Sequence, residues 1–267
     1  MSKISVQFIF VLLLGMIVSA PAATIYNQWN GSVSSDWNIA ANWDAGFVPF
    51  SFDGVDKTKA GFKTATGAVL GTAVQNAEAW QVIIGGANGL GELTVDGGRL
   101  TTGDYIIMGN TATETGTLYM NSGEMNLGGH LYVGFHGPAT VYMTGGSINI
   151  LTANKYFGIA EYSEEASVGT FYLHGGTITT AGFRMENGGS LATGLLEIGN
   201  DGKLVIFGDN VSKVNGYIGN GLIAGLGGAT VLVDYDVTTP GMTTVYIPEP
   251  ATMFMLGLGS LILYRRK

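Results

Sequence analysis

The sequence contains no cysteine. A disulfide framework, a thiolate metal site and a cysteine nucleophile are therefore excluded. Charge is scarce as well, with Asp, Glu, Lys and Arg making up 12% of the 267 residues. Lys3, Arg265, Arg266 and Lys267 sit near the chain ends, which leaves eight basic residues to face twenty acidic ones. No basic stripe exists to neutralise phosphates, so nucleic acid is not an expected partner. Helical patterning is missing too: outside the two ends, no segment shows apolar residues at a period of 3.6.

What is abundant is glycine, at 43 residues, within a chain that is still 46% hydrophobic. That apolar content argues against disorder. Chains rich in Gly, Thr, Tyr, Val and Leu form β structure with many turns.

Both ends read as addresses. Met1-Ser2-Lys3 is followed by an apolar run from Ile4 to Val18 and then by Ser19-Ala-Pro-Ala-Ala23. A basic start, an apolar run and a small-residue site make a secretory signal, with cleavage expected between Ala22 and Ala23. The other end reads Ile247-Pro248-Glu249-Pro250, then an uncharged run from Ala251 to Tyr264, then Arg265-Arg266-Lys267. As a helix that run spans roughly 21 Å, short of the ~30 Å hydrocarbon core, so processing is expected over permanent anchoring. The three basic residues favour the cytoplasmic side and place the body outside.

The segment from Val245 to Lys267 resembles a PEP-CTERM sorting signal, with the Pro-Glu-Pro triplet, the short apolar stretch and the basic tail in order. The resemblance implies export and recognition of Pro248, Glu249 and Pro250 by an exosortase. This is a membrane-embedded, cysteine transpeptidase-like enzyme of Gram-negative bacteria that make exopolysaccharide. It covers under a tenth of the chain and gives a destination rather than an activity.

The body is a repeat. One phrase starts at residues 91, 116, 140, 169 and 194, at spacings of 25, 24, 29 and 25. It carries paired apolar positions Leu93/Val95, Leu118/Met120, Val141/Met143, Phe171/Leu173 and Leu196/Ile198, mostly followed by a glycine pair. A second phrase keeps the same period at Val82–Gly85, Ile106–Gly109, Leu131–Gly134 and Phe157–Ala160. Alternation in each phrase marks a strand with one buried face. The glycines are expected to turn sharp corners. One repeat cannot bury its own apolar face, whereas stacked repeats share a continuous core.

The expected fold is therefore all-β: a parallel β-helix of about 25 residues per rung and five to six rungs, with β caps. A signal helix and a C-terminal transmembrane helix are expected at the two ends. Residues 1–22 form the signal, 23–79 a Trp-rich β cap, 80–226 the solenoid, 227–247 a closing hairpin and 248–267 the sorting segment. Three of the four tryptophans, Trp29, Trp37 and Trp43, fall in the cap. That segment resembles the leader that precedes β-helical repeats in autotransporter-like surface proteins. The longer rung that starts at Thr140 is expected to place its surplus around Glu161–Ser167.

Chemistry is sparse. Val82–Gly91 imitates a dinucleotide-binding glycine loop, but the residues after it alternate as a strand, where that site needs a helix. Parallel β-helices include pectin lyases and polygalacturonases, so a carbohydrate-active enzyme is the rival reading. Such chemistry needs clustered carboxylates. Asp96, Glu124, Glu197 and Asp201 occupy different repeat positions, and His130, His136 and His174 have no partner visible by spacing. No cofactor, metal site or catalytic residue is expected. One column does stand out: Tyr119, Tyr142 and Tyr172 lie between the buried positions of successive rungs and should stack outward. Flat exposed aromatic rings are what sugar rings pack on. The expectation is an exported, non-enzymatic surface or matrix protein, first held in the inner membrane by its C-terminal helix, with exosortase and exopolysaccharide as partners.

Overall fold

The computed structural model describes residues 23–50, 56–71, 76–86, 89–161, 167–186 and 192–248. The signal helix, Ala22, Glu249, Pro250 and the transmembrane helix with Arg265, Arg266 and Lys267 lie outside the described residues.

Four strands open the fold: β1 (Ala23–Gln28), β2 (Asp56–Phe62), β3 (Ala68–Leu70) and β4 (Asn76–Ala79). Short and long strands then alternate. They are β5 (Gln81–Ile84) and β6 (Leu90–Thr102), β7 (Ile106–Met108) and β8 (Thr115–Leu127), β9 (Leu131–Val133) and β10 (Pro138–Ile150). They continue with β11 (Phe157–Ile159) and β12 (Val168–Thr180), then β13 (Phe183–Met185) and β14 (Thr193–Phe207). The chain ends with α1 (Val211–Gly219), β15 (Ile223–Gly225), β16 (Leu232–Tyr235) and β17 (Met242–Tyr246).

The short strands form a seven-stranded sheet in the order β1-β2-β5-β7-β9-β11-β13. The long strands form a ten-stranded sheet, β16-β17-β14-β12-β10-β8-β6-β3, with β4 and β15 paired at its sides. Every pairing is parallel except those of β17 with β14 and β16. The result is a parallel β-solenoid of about six turns. The sheets run on through residue 80, because β2 pairs with β5 and β3 pairs with β6.

The register follows the repeat. Leu93, Leu118, Val141, Phe171 and Leu196 pair rung to rung and point inward, as do Val95, Met120, Met143, Leu173 and Ile198. All ten are fully buried. Val82, Ile106, Leu131, Phe157 and Phe183 face them from the short strands. Each such side chain contributes about 1.5–3 kcal/mol by burial, and a slip of one residue would turn a whole column outward.

Two expectations are corrected. The glycine pairs do not end the strands. Each long strand runs on through the pair with a register shift, so the ladder bends at a bulge. Gly97, Gly123, Gly146 and Gly176 have φ of 108, 89, 79 and 80°, a region costly for any other residue. Second, α1 is a helix where none was expected. Its buried Val214 and partly buried Tyr217 and Ile218 have helical spacing, but nine residues holding two glycines give too short a pattern to stand out. The surplus of the longer rung falls where it was expected, between β11, which ends at Ile159, and β12, which starts at Val168, with its described ends packed inward. Glu161 and Ser167 are both buried, and Ser167 Oγ donates to the Phe135 carbonyl at 2.8 Å. Residues 162–166 lie outside the described set.

Both ends of the core are covered. Trp29, Trp37 and Trp43 are buried against Phe62, with ring centroids 4.9 to 6.1 Å apart. Asn42 holds the cap loop from inside. Its Oδ1 accepts from the Val33 and Ser34 amides, and its Nδ2 donates to Ser34 Oγ and the Asp36 carbonyl. A buried amide must find such partners or lose stability. At the other end the expected hairpin is present, as β16 and β17, and β17 pairs antiparallel along β14. α1 covers the edge of β13: Lys213 Nζ donates to the Phe183 carbonyl at 2.6 Å, and the Met185 amide donates to Tyr217 Oη at 3.2 Å. These bonds stand where a further rung would pair, and a covered edge resists edge-to-edge association.

Candidate functional site: two outer faces of the solenoid

The ten-stranded sheet brings the three tyrosines together. Tyr119 pairs with Tyr142 and Tyr142 with Tyr172 across the ladder. Their rings lie 5.3 and 5.1 Å apart, with interplanar angles of 11 and 14°. Parallel in-register pairing sets this geometry, since each rung repeats the previous one at ~4.8 Å. Tyr142 is 41% exposed, so no described segment covers the stack. Thr117, Thr140 and Thr170 form a second outward column beside it. Together they make a flat strip of rings and hydroxyls.

The ends of the strip carry charge. Glu197 takes the column position after Tyr172, and its carboxylate sits 2.7 Å from His174 Nε2. The sequence did not show this partner, because the two residues are 23 apart and occupy different repeat positions. Removal from water, then the Glu92 carboxylate and then Tyr142, push the Tyr119 phenol above its usual range.

The seven-stranded sheet carries a second cluster that spacing did not reveal. Tyr132 is buried and packs against His130 at 5.2 Å and Phe135 at 4.9 Å. Tyr156 lies 4.0 Å from the His130 ring centroid, and its hydroxyl is 3.2 Å from that of Tyr132. The Arg184 guanidinium sits 4.0 Å over the Tyr156 ring and donates to Glu161 Oε1 at 3.1 Å. Burial holds the His130 imidazole down to about 4, with Lys155 and Arg184 adding to the effect and Asp104 opposing it. His130 Nδ1 accepts the Tyr156 amide at 3.2 Å, so the neutral ring carries its proton on Nε2. Burial, then repulsion from Arg184, lowers the Lys213 ammonium. One signal in the sequence could have pointed here: Tyr105, His130 and Tyr156 each stand one residue before the second repeat phrase.

Among the described residues no group of three or more His, Cys, Asp or Glu could hold a metal ion, and no helix is long and apolar enough to cross a membrane. Ala23 opens β1, so an expected cut before it would leave that strand whole. At the other end β17 stops at Tyr246, and Ile247 is still buried in the core. Pro248 follows at once, with no spacer between the rod and the triplet.

No curated protein and no solved structure matches the chain. Residues 247–267, beginning on that buried isoleucine, match the PEP-CTERM protein-sorting motif, which implies an exported protein with a β-solenoid body that is processed by an exosortase.

Proposed function

We propose that this is a non-enzymatic structural or adhesive protein of the cell surface or exopolysaccharide matrix, with the stacked tyrosine strip as its carbohydrate-contacting face. The observation that carries the reading is the geometry of Tyr119, Tyr142 and Tyr172: parallel, half-exposed rings at about 5 Å spacing. Because the rings cover one another's faces, the strip presents their outward edges and hydroxyls, which offer a sugar apolar contact and hydrogen bonds. The route to the matrix runs through the Pro248-Glu249-Pro250 triplet, and the following apolar run anchors the chain in the inner membrane until processing.

The test is a Tyr119→Ala, Tyr142→Ala double variant, checked for folding by circular dichroism and assayed for retention in the exopolysaccharide layer. Retention should fall severalfold; unchanged retention of a folded variant would sink the reading. Processing is tested separately by mass spectrometry of the mature protein from cells with and without the exosortase. Loss of residues 251–267 only where the enzyme is present supports it, and an identical C-terminus in both strains overturns it.

A further inference from the structure

The groove on the seven-stranded sheet gathers positive charge in a chain that is otherwise short of it. Three of the eight basic residues between the chain ends, Lys155, Arg184 and Lys213, line one hollow of about 240 Å³. Lys155 also lines a neighbouring hollow of about 550 Å³, together with the half-buried rings of Tyr105 and His130. The buried Tyr132 backs these rings, which fixes their positions.

Two carboxylates face the three cations: Glu161 is paired with Arg184 at 3.1 Å, and Asp104 is held by the neutral Gln81 Nε2 at 2.8 Å, which leaves an excess of one positive charge. His130 contributes an N–H donor without charge, since its Nδ1 is occupied by the Tyr156 amide. A surplus of cations, aromatic walls and neutral donors is the complement of an anion that also carries a ring and hydroxyls.

We propose that this groove binds successive units of an acidic polysaccharide, with a uronate ring over His130 and Tyr105 and carboxylates at Lys155, Arg184 and Lys213. Lys155 is shared by the two hollows and stands between the two units. A nucleic acid fits less well, because a phosphate chain needs a continuous basic track, and twenty acidic residues surround these few cations in the sequence. The proposal adds a charge class to the matrix role above, but it rests on the groove and not on the tyrosine strip.

The experiment titrates the full-length chain, in mild detergent, with tetragalacturonate and with a neutral galactose tetramer by calorimetry. The uronate should bind at least tenfold tighter than the neutral tetramer, and more weakly as salt rises. Lys155→Glu should lower uronate affinity about tenfold, and Lys213→Gln about threefold. Lys213 is exposed and meets the rod through the Nζ bond to the Phe183 carbonyl, so the Gln variant keeps the test open if the Lys155 variant fails to fold. Lys203→Gln, which removes an exposed cation from β14 on the other sheet, should leave uronate affinity unchanged.

Equal affinity for both tetramers overturns the proposal. So does unchanged affinity in the folded lysine variants, or tighter binding of an oligodeoxynucleotide of equal charge. If Tyr142→Ala abolishes uronate binding and Lys155→Glu does not, the ligand sits on the strip; the groove proposal then fails while the earlier reading stands.

Discussion

On the ten-stranded sheet one outward position is repeated as Tyr119, Tyr142 and Tyr172; on the seven-stranded sheet the corresponding ladder reads Ile83, Ile107, Tyr132, Gly158 and Arg184. The first face is made of equivalent residues that touch because every rung repeats the last. The second is made of unlike residues that touch because the same stacking brings them level. A solenoid thus builds sites in two ways. A repeated column gives an extended strip with no special rung, whereas a mixed column gives one local groove with fixed partners.

The contrast can be broken in four ways. The largest effect should come from the scaffold that both faces share. Gly134 ends β9's rung segment at φ 73°, and a side chain there would press on the Val168 carbonyl of the next rung. Gly134→Ala should therefore cost about 3 kcal/mol in urea unfolding, through left-handed strain and crowding together. Both faces should lose ligand contacts in parallel.

Next is the mixed face alone. Arg184→Ala leaves the Glu161 carboxylate, only 6% exposed, without its cation. A loss of about 2 kcal/mol is expected, less than for a fully buried pair because the Arg184 side chain is 47% exposed. A melting midpoint within error of the parent would show that Glu161 does not depend on this pair.

The repeated face should be more forgiving. Tyr142→Ala removes the middle ring of the stack and should cost about 1 kcal/mol. A double-mutant cycle with Tyr119→Ala should show a coupling of about 0.5–1.5 kcal/mol. Strict additivity would mean that the rings are neighbours without interaction.

The smallest effect is a slope with pH. The His130 imidazole is depressed in the fold to about 4 from an ordinary value of 6.5. The unfolded chain therefore takes up a proton at higher pH than the folded one. The contribution is complete above about pH 6.5, is lost as pH falls towards 4, and is flat below. Partial exposure of the ring keeps it small. A His130→Gln variant should show a shallower stability slope between pH 4 and 6.5 than the parent. Tyr142→Ala, on the sheet that does not carry His130, should leave the slope as it is.

The difference between the faces is also the difference between what could and could not be read beforehand. Leu93, Leu118, Val141, Phe171 and Leu196 announce an inward column because a strand alternates and the alternation recurs every 24 to 29 residues. The tyrosine stack follows from the same register. The His174–Glu197 pair does not, since it joins two different columns across one rung step. α1 went unseen because Val214, Tyr217 and Ile218 give only one helical turn of pattern. The glycine pairs were legible as places of positive φ, but whether such a residue turns a corner or bulges a continuous strand depends on the neighbouring rung's hydrogen bonds.

By itself the sequence determined the address at the C-terminus, the β-solenoid and the composition of its inner columns, because sorting motifs and repeats are linear patterns. Only the tertiary structure decided that Lys155, Arg184 and Lys213 meet beside His130 and Tyr156, and that Ile247 is core rather than linker. Those facts depend on which residues of different rungs and caps arrive at the same height. That is set by register and packing across sequence separations of 23 residues and more, where no local pattern reports it.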